Sequence, residues 1–281
     1  WHDDETSLGV RLAYARSLFH VGRDADAARV ADAALASVDR TPALSAYAPL
    51  ALDRAALYNL SAARYDRALA LYDRLVPSVA EAGPGAKTKQ AQRNRIVLRF
   101  ARAAAALGAE KPARTLDDLA YVERALADPS SRDVLAWPHA SIDHVMSSYR
   151  LIASGLRAHA QGALGDRRAE DAALRARRGI YAERFARVPR REYARALSLV
   201  EAHLAGRQAQ EARPDPPRGL VGPERREVRK TNSEALRERN AVHPLQHVVH
   251  VTGGMQCREC RLVLRIPVER VEGGLDADSE G

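Results

Sequence analysis

Cysteine is nearly absent from this 281-residue chain: only Cys257 and Cys260 occur, which excludes a disulfide-stapled scaffold. Aromatic residues make up 5% of it, too few for an ordinary β-sandwich, whose strands draw on Val, Ile, Thr and aromatics. No run approaches ~18 uninterrupted apolar residues, so no membrane span is expected. The first 30 residues lack a basic start followed by an apolar run, so no signal peptide is visible. The chain opens on Trp1 rather than Met, as a fragment or a processed product does. Lysine is confined to positions 87, 89, 111 and 230. The formal charge of +8, from 44 basic against 36 acidic side chains, is therefore nearly all arginine on its positive side. Such a bias follows from a GC-rich genome, or from a surface that meets phosphate or carboxylate partners.

Alanine, leucine and arginine dominate, and strongly helix-forming residues in that proportion favour packed helices. Four helix-turn-helix units are legible. Leu12, Ala15, Leu18 and Phe19 lie at helical spacing ahead of Gly22-Arg23-Asp24. Ala27, Val30, Ala31, Ala34 and Leu35 then form a second stripe, ending before Asp39 and Pro42. The second unit runs from Leu50 to Val76, with Leu57 and Leu60 before a turn at Ala62-Ala63-Arg64 and Pro77 as the stop. After the loop Gly83 to Lys87, Ile96, Phe100, Ala103 and Leu107 lead into Gly108, followed by Ala113, Leu116, Ala120 and Leu126. Asp128 to Ser131 and Trp137-Pro138 read as a connection. The fourth unit spans Ile142 to Ala163 and, past Gly165-Asp166, Ala169 to Phe185; a last helix, about Arg190 to Ala209, could cap the stack. Turn signals at Gly22, Ala63, Gly108 and Gly165 are 41, 45 and 57 residues apart. Each pair carries an apolar stripe too large to leave wet, so neighbouring pairs are expected to stack.

In Ala15, Gly22, Ala27, Ala31 and Ala34, a small residue precedes a break by seven residues and small residues follow it. Ala56, Ala63, Tyr65, Ala68, Tyr72 and Leu75 repeat that order. In this the chain resembles the tetratricopeptide (TPR) family. The third unit fits more loosely through Phe100, Gly108, Ala113 and Ala120, and the fourth in outline. The units are longer and less regular than the family's ~34 residues. The nearer likeness is to degenerate repeats of large bacterial signalling proteins, where such arrays follow a kinase or ATPase domain. The resemblance implies an all-α fold, a right-handed α-solenoid over residues 8–210. It also implies a groove for a protein or peptide partner, lined near Arg16, Phe19, His20, Leu57 and Leu60. The family's Lys and Asn carboxylate clamp is not matched.

Residues 211–240, highly charged and opening on Arg213-Pro-Asp-Pro-Pro, read as a flexible linker. Residues 241–281 read as a disordered tail or a small β-hairpin about Thr252-Gly253-Gly254. There His247 and His250, or His243 in place of either, stand ahead of Cys257-Arg-Glu-Cys260. Zinc takes tetrahedral thiolate and imidazole ligands, so these could staple the tail. A redox pair and a sequence of no function are the other readings, since one Cys-x-x-Cys is half of the usual pattern. No other cofactor is implied.

From Asp166 to Arg195 ten arginines stand against five carboxylates. Arg168, Arg175 and Arg178 lie close to one helical face, which could hold phosphates or an acidic peptide, unless i to i+4 carboxylates occupy it. Catalytic signals are few. There is no Gly-x-Ser-x-Gly elbow, phosphate-cradling loop or His-Glu-x-x-His, and His139, His144, His159 and His203 are scattered. The expected function is a non-catalytic cytoplasmic interaction scaffold. The alternatives are a nucleic-acid-associated regulator and the sensor region of a kinase or ATPase.

Overall fold

The computed structural model describes residues 4–80, 88–136 and 141–211, and among them every regular element is helical. In chain order these are α1 (Glu5–His20), α2 (Asp24–Arg40), a 3-10 turn (Pro42–Tyr47) and α3 (Ala48–Ser61). Then come α4 (Tyr65–Ala80), α5 (Lys89–Gly108), α6 (Pro112–Ala127) and α7 (Ser131–Leu135). The series ends with α8 (Ile142–Ala163), α9 (Arg167–Arg187) and α10 (Arg191–Glu211). No helix among these residues is long and apolar enough to cross a membrane. The linker beyond Glu211 and the tail, with His243, His247, His250, Cys257 and Cys260, lie outside the described residues.

Local chemistry sets the helix starts. Asp4, Thr88 and Asp166 each accept a hydrogen bond from the backbone N–H three residues on, at 2.7, 3.1 and 3.0 Å, which satisfies a donor the first turn leaves open. Pro112 opens α6, where its missing N–H is of no consequence.

The four turns within the pairs share one geometry. In each, a backbone N–H bonds the carbonyl five residues back: Arg23 to Leu18, Arg64 to Asn59, Lys111 to Ala106 and Asp166 to Gln161. The residue just before it is left-handed: Gly22 (φ 78°), Ala63 (57°), Glu110 (56°) and Gly165 (78°). This is the Schellman end of a helix, which glycine adopts without penalty. The third turn is therefore centred on Glu110, two residues beyond the expected Gly108. With turns aligned on the left-handed residue, the position seven before it is Ala15, Ala56, Ala103 and Ala158, all buried. Alanine there lets the two helices of a pair approach closely, and in the third pair the Thr115 hydroxyl reaches the Ala103 carbonyl at 3.2 Å.

Gly108 has a different task. It ends α5, and a Cβ there would lie 2.4 Å from Cγ of Tyr65. The root of a ring on α4 cannot swing aside, so Gly108→Ala is expected to lower stability by about 2 kcal/mol. Gly179→Ala, where a Cβ meets nothing within 4 Å, should raise it by up to ~1 kcal/mol. Thermal unfolding of both variants checks the contrast. Glu110→Gly should add about 0.5–1 kcal/mol by relieving a left-handed non-glycine residue, read as a higher denaturant midpoint at unchanged slope.

Three expectations about connections are corrected. Pro77 does not stop the second unit, because α4 runs on to Ala80. Proline there removes one backbone donor from the last turn, and the Ser78 hydroxyl supplies a bond of its own by donating to the Leu75 carbonyl at 2.7 Å. The segment after Thr41 winds into a 3-10 turn that buries Leu44, and the link after Asp128 forms α7, which buries Val134 and Leu135. Arg93 of α5 ties down the end of α7 by donating to the carbonyls of Val134 (2.8 Å) and Ala136 (2.7 Å).

Each main helix packs on the next, and α6 packs on α8. The first helices of successive pairs also touch: α1 meets α3, α3 meets α5, and α5 meets α8. One apolar core runs from Leu8 to Leu156, while Ala158, Ala173 and Leu174 form a small separate cluster backed by Leu204.

Candidate docking surface

Where the first helices α1 and α3 touch, an aromatic pair stands beside arginine. The Phe19 and Tyr58 rings lie 4.9 Å apart, and Phe19 also neighbours the His20 ring at 6.0 Å. Arg16 Nε donates to His20 Nε2 at 3.4 Å. Arg16, Phe19 and His20 are thus neighbours on α1, with Phe19 half-buried and the other two exposed. Leu57 is half-buried on α3. Leu60 is a correction: it is 0% exposed and belongs to the core, so it offers no surface to a partner.

Close by, α3 buries a polar group. Asp53 falls on the same helical line as Leu50, Leu57 and Leu60 and is buried with its Oδ2 lacking a hydrogen-bond partner. Burial pushes its carboxyl up to about 6, against a smaller opposing pull from Arg54. The Tyr58 hydroxyl is also buried without a partner. Burial raises its pKa, while Arg54 and Arg16 lower it. Tyr72 of α4 is raised well above its ordinary value, first by burial and then by Asp53. The clue in the sequence was an acid on an apolar stripe.

Arginine–carboxylate contacts join one pair to the next. Asp32 of α2 receives Arg67 at 3.0 Å and Arg64 at 3.5 Å, and Arg74 meets Asp39 at 2.8 Å. Asp73 of α4 receives Arg114 and, at 3.4 Å, Arg102. Glu123 of α6 receives Arg157 of α8. Within the third pair, Asp118 of α6, its side chain 1% exposed, holds Arg102 at 2.7 Å and Arg99 at 3.1 Å, both from α5.

The same pattern reaches the proposed anion-binding face. Arg178 bonds Glu201 of α10 at 2.8 Å and Arg175 lies 3.9 Å from Asp171 on its own helix, so two of its three members meet carboxylates. Arg168 is exposed.

The layer from α8 to α10 carries a second polar group. Gly155 and Gly162 leave room on α8 for Arg177 and Glu170 of α9; added Cβ atoms would meet those side chains at 3.2 and 2.9 Å. His159 lies between the two glycines along α8. Burial, then Arg177 and His203, lower its pKa to about 4. Arg207 binds Glu170 and, at 3.2 Å, Asp171. Arg184 clamps α9 to α8 through the hydroxyls of Ser147 (2.7 Å) and Ser148 (2.5 Å) and the His144 carbonyl (2.9 Å). Among the described residues no three His, Cys, Asp or Glu side chains are grouped to hold a metal ion.

No protein-family model matches the chain, and neither does any curated protein or any solved structure.

Proposed function

We propose that the chain is a TPR-like scaffold, a right-handed α-solenoid without a catalytic role of its own. It docks a protein segment along the face shared by its first helices, in the setting of a larger bacterial signalling or regulatory protein. The observation that carries the reading is the contact of α1 with α3, α3 with α5 and α5 with α8, across four pairs closed by the same turn. Repeats built this way present a continuous surface for extended ligands. At the α1–α3 end, Phe19 and Leu57 offer apolar contact beside Arg16 and His20, which suits an acidic segment with apolar anchors.

The nucleic-acid alternative draws less support, because Arg175 and Arg178 face Asp171 and Glu201.

A photo-crosslinking residue placed at Leu57 of the full chain, in lysate of its source organism, tests the reading. A protein should be captured, lost on Phe19→Ala with Arg16→Glu and kept on Arg175→Glu. Capture indifferent to Phe19 and Arg16 would sink the groove assignment. Nucleic acid released steeply by added salt would install the alternative.

A further inference from the structure

The arginines between successive pairs meet carboxylates: Arg67 binds Asp32, Arg74 binds Asp39 and Arg157 binds Glu123. Arg54 of α3 stands apart. It is half-buried, and among the described residues it makes no hydrogen bond and no ion pair. Its charge reaches the buried Asp53 and the buried Tyr58 hydroxyl without bonding either. Arg16 of α1 acts on the same hydroxyl, so two guanidinium groups stand around one point where α1 meets α3. The register set by the repeated turn shows what surrounds Arg54. Thirteen, nine and six residues before the left-handed residue lie Leu50, Arg54 and Leu57 in α3, each half-buried. The same positions in α5 are Val97, Ala101 and Ala104, exposed by 5%, 7% and 1%. A line that is closed on α5 is thus partly open on α3, with a cation between two leucines. Because α3 touches both α1 and α5, this opening lies within the stack.

We propose, on the reading that a protein segment docks where α1 meets α3, that Arg54 receives the negative charge of that segment, and that the segment is an acidic peptide with an apolar side chain on each side of its carboxylate. A guanidinium partly withdrawn from water without a partner forfeits hydrogen bonds that a carboxylate restores. Its planar fork matches two carboxylate oxygens at once. Leu50 and Leu57 are about 10 Å apart along α3, at ~1.5 Å per residue, which an extended segment spans in about three residues. A glutamate between two leucines therefore meets Arg54 while its neighbours meet Leu50 and Leu57. Arg16, hydrogen-bonded to His20, adds positive potential nearby.

The probes are fluorescein-labelled synthetic peptides carrying one glutamate between two leucines, and the same peptides with glutamine in its place. They are titrated into the full chain by fluorescence anisotropy at neutral pH. The glutamate peptide should saturate below ~1 mM, and the glutamine peptide should bind about tenfold more weakly. Arg54→Met, which keeps the aliphatic stem, should erase that preference and leave the affinity for the glutamine peptide as it was. Arg54→Lys should retain part of the preference, since the charge stays and the fork goes. Circular dichroism first verifies that both variants keep their helices. A preference that survives Arg54→Met, or no preference in the unsubstituted chain, overturns the assignment; capture at Leu57 that still depends on Phe19 would then show that the docking reading stands without it. Absence of saturable binding by ~1 mM overturns it too. So does a single-stranded oligonucleotide that binds more tightly than the glutamate peptide and is lost on Arg54→Met, since the anion would then be a phosphate of nucleic acid.

Discussion

Asp53→Asn is expected to stabilise the chain at pH 7.5 by about 3 kcal/mol. The buried carboxyl titrates at about 6 and an exposed one near 4, and each unit of difference is worth ~1.4 kcal/mol. The folded state holds the Asp53 proton to higher pH than the unfolded chain does. Its contribution is therefore fully present below pH ~4 and is lost as pH rises to 6. His159 runs the other way. Its pKa is lowered from 6.5 to about 4, so the unfolded chain takes up a proton that the folded one refuses. Stability from that site is present above pH 6.5 and lost as pH falls through 4, by up to ~3 kcal/mol. Between pH 4 and 6 the two nearly cancel in the native chain. Asp53→Asn should make stability climb with pH in that window, and His159→Gln should make it fall. Denaturant midpoints at pH 4.5, 5.5, 6.5 and 7.5 decide it. A flat profile in both variants would remove the buried-charge account.

Arg102→Met should destabilise by about 3 kcal/mol. The arginine side chain is 14% exposed and bonds Asp118 through Nε at 2.8 Å and Nη2 at 2.7 Å. Methionine keeps the packing of the stem but leaves the Asp118 carboxylate, 1% exposed, with Arg99 as its remaining cation. Removing one partner of a buried ion pair strands the other, which is far worse than losing an exposed contact. Arg74→Met, whose partner Asp39 is exposed, should cost under ~1 kcal/mol. Replacing Arg102 and Asp118 together by apolar residues should recover much of the loss. A double-mutant cycle by chemical denaturation measures this, and an additive cycle would refute the coupling.

The helices were legible because alanine and leucine recur at helical spacing and because each pair breaks abruptly. What escaped had a tertiary cause. The 3-10 turn at Pro42 and the five-residue α7 are too short for a period to show; each forms around side chains, Leu44 in one and Val134 with Leu135 in the other, that the core receives. Gly108 has the look of a turn glycine, but its missing Cβ serves the Tyr65 ring, and the left-handed residue is a glutamate. For the site, Arg16, Phe19 and His20 sit on consecutive turns and could be grouped by eye. Leu60 shares a helical line with Leu57, so spacing alone does not reveal that it is buried while Leu57 is half-buried. The partners of the arginines, 16 to 41 residues distant in the interfaces between helices, leave no local trace. Composition alone overstated how much positive charge faces outward.

The end of the stack at α10 is held differently from the rest. From α1 to α8 the helices share one apolar core, while α9 and α10 lean on a small cluster and on ion pairs such as Arg178 with Glu201 and Arg207 with Glu170 and Asp171. Ionic attraction is screened by salt, and apolar burial is strengthened by many salts. Among the described helices, α9 and α10 are therefore the soft part and α1 to α8 the firm one. In concentrated salt the last layer frays first, with amide exchange fastest in α10, while the α1–α3 face keeps its shape. A ligand confined to that face binds a rigid body, whereas one long enough to reach α10 must also order it, so ligand length sets how strongly binding and ionic strength are coupled.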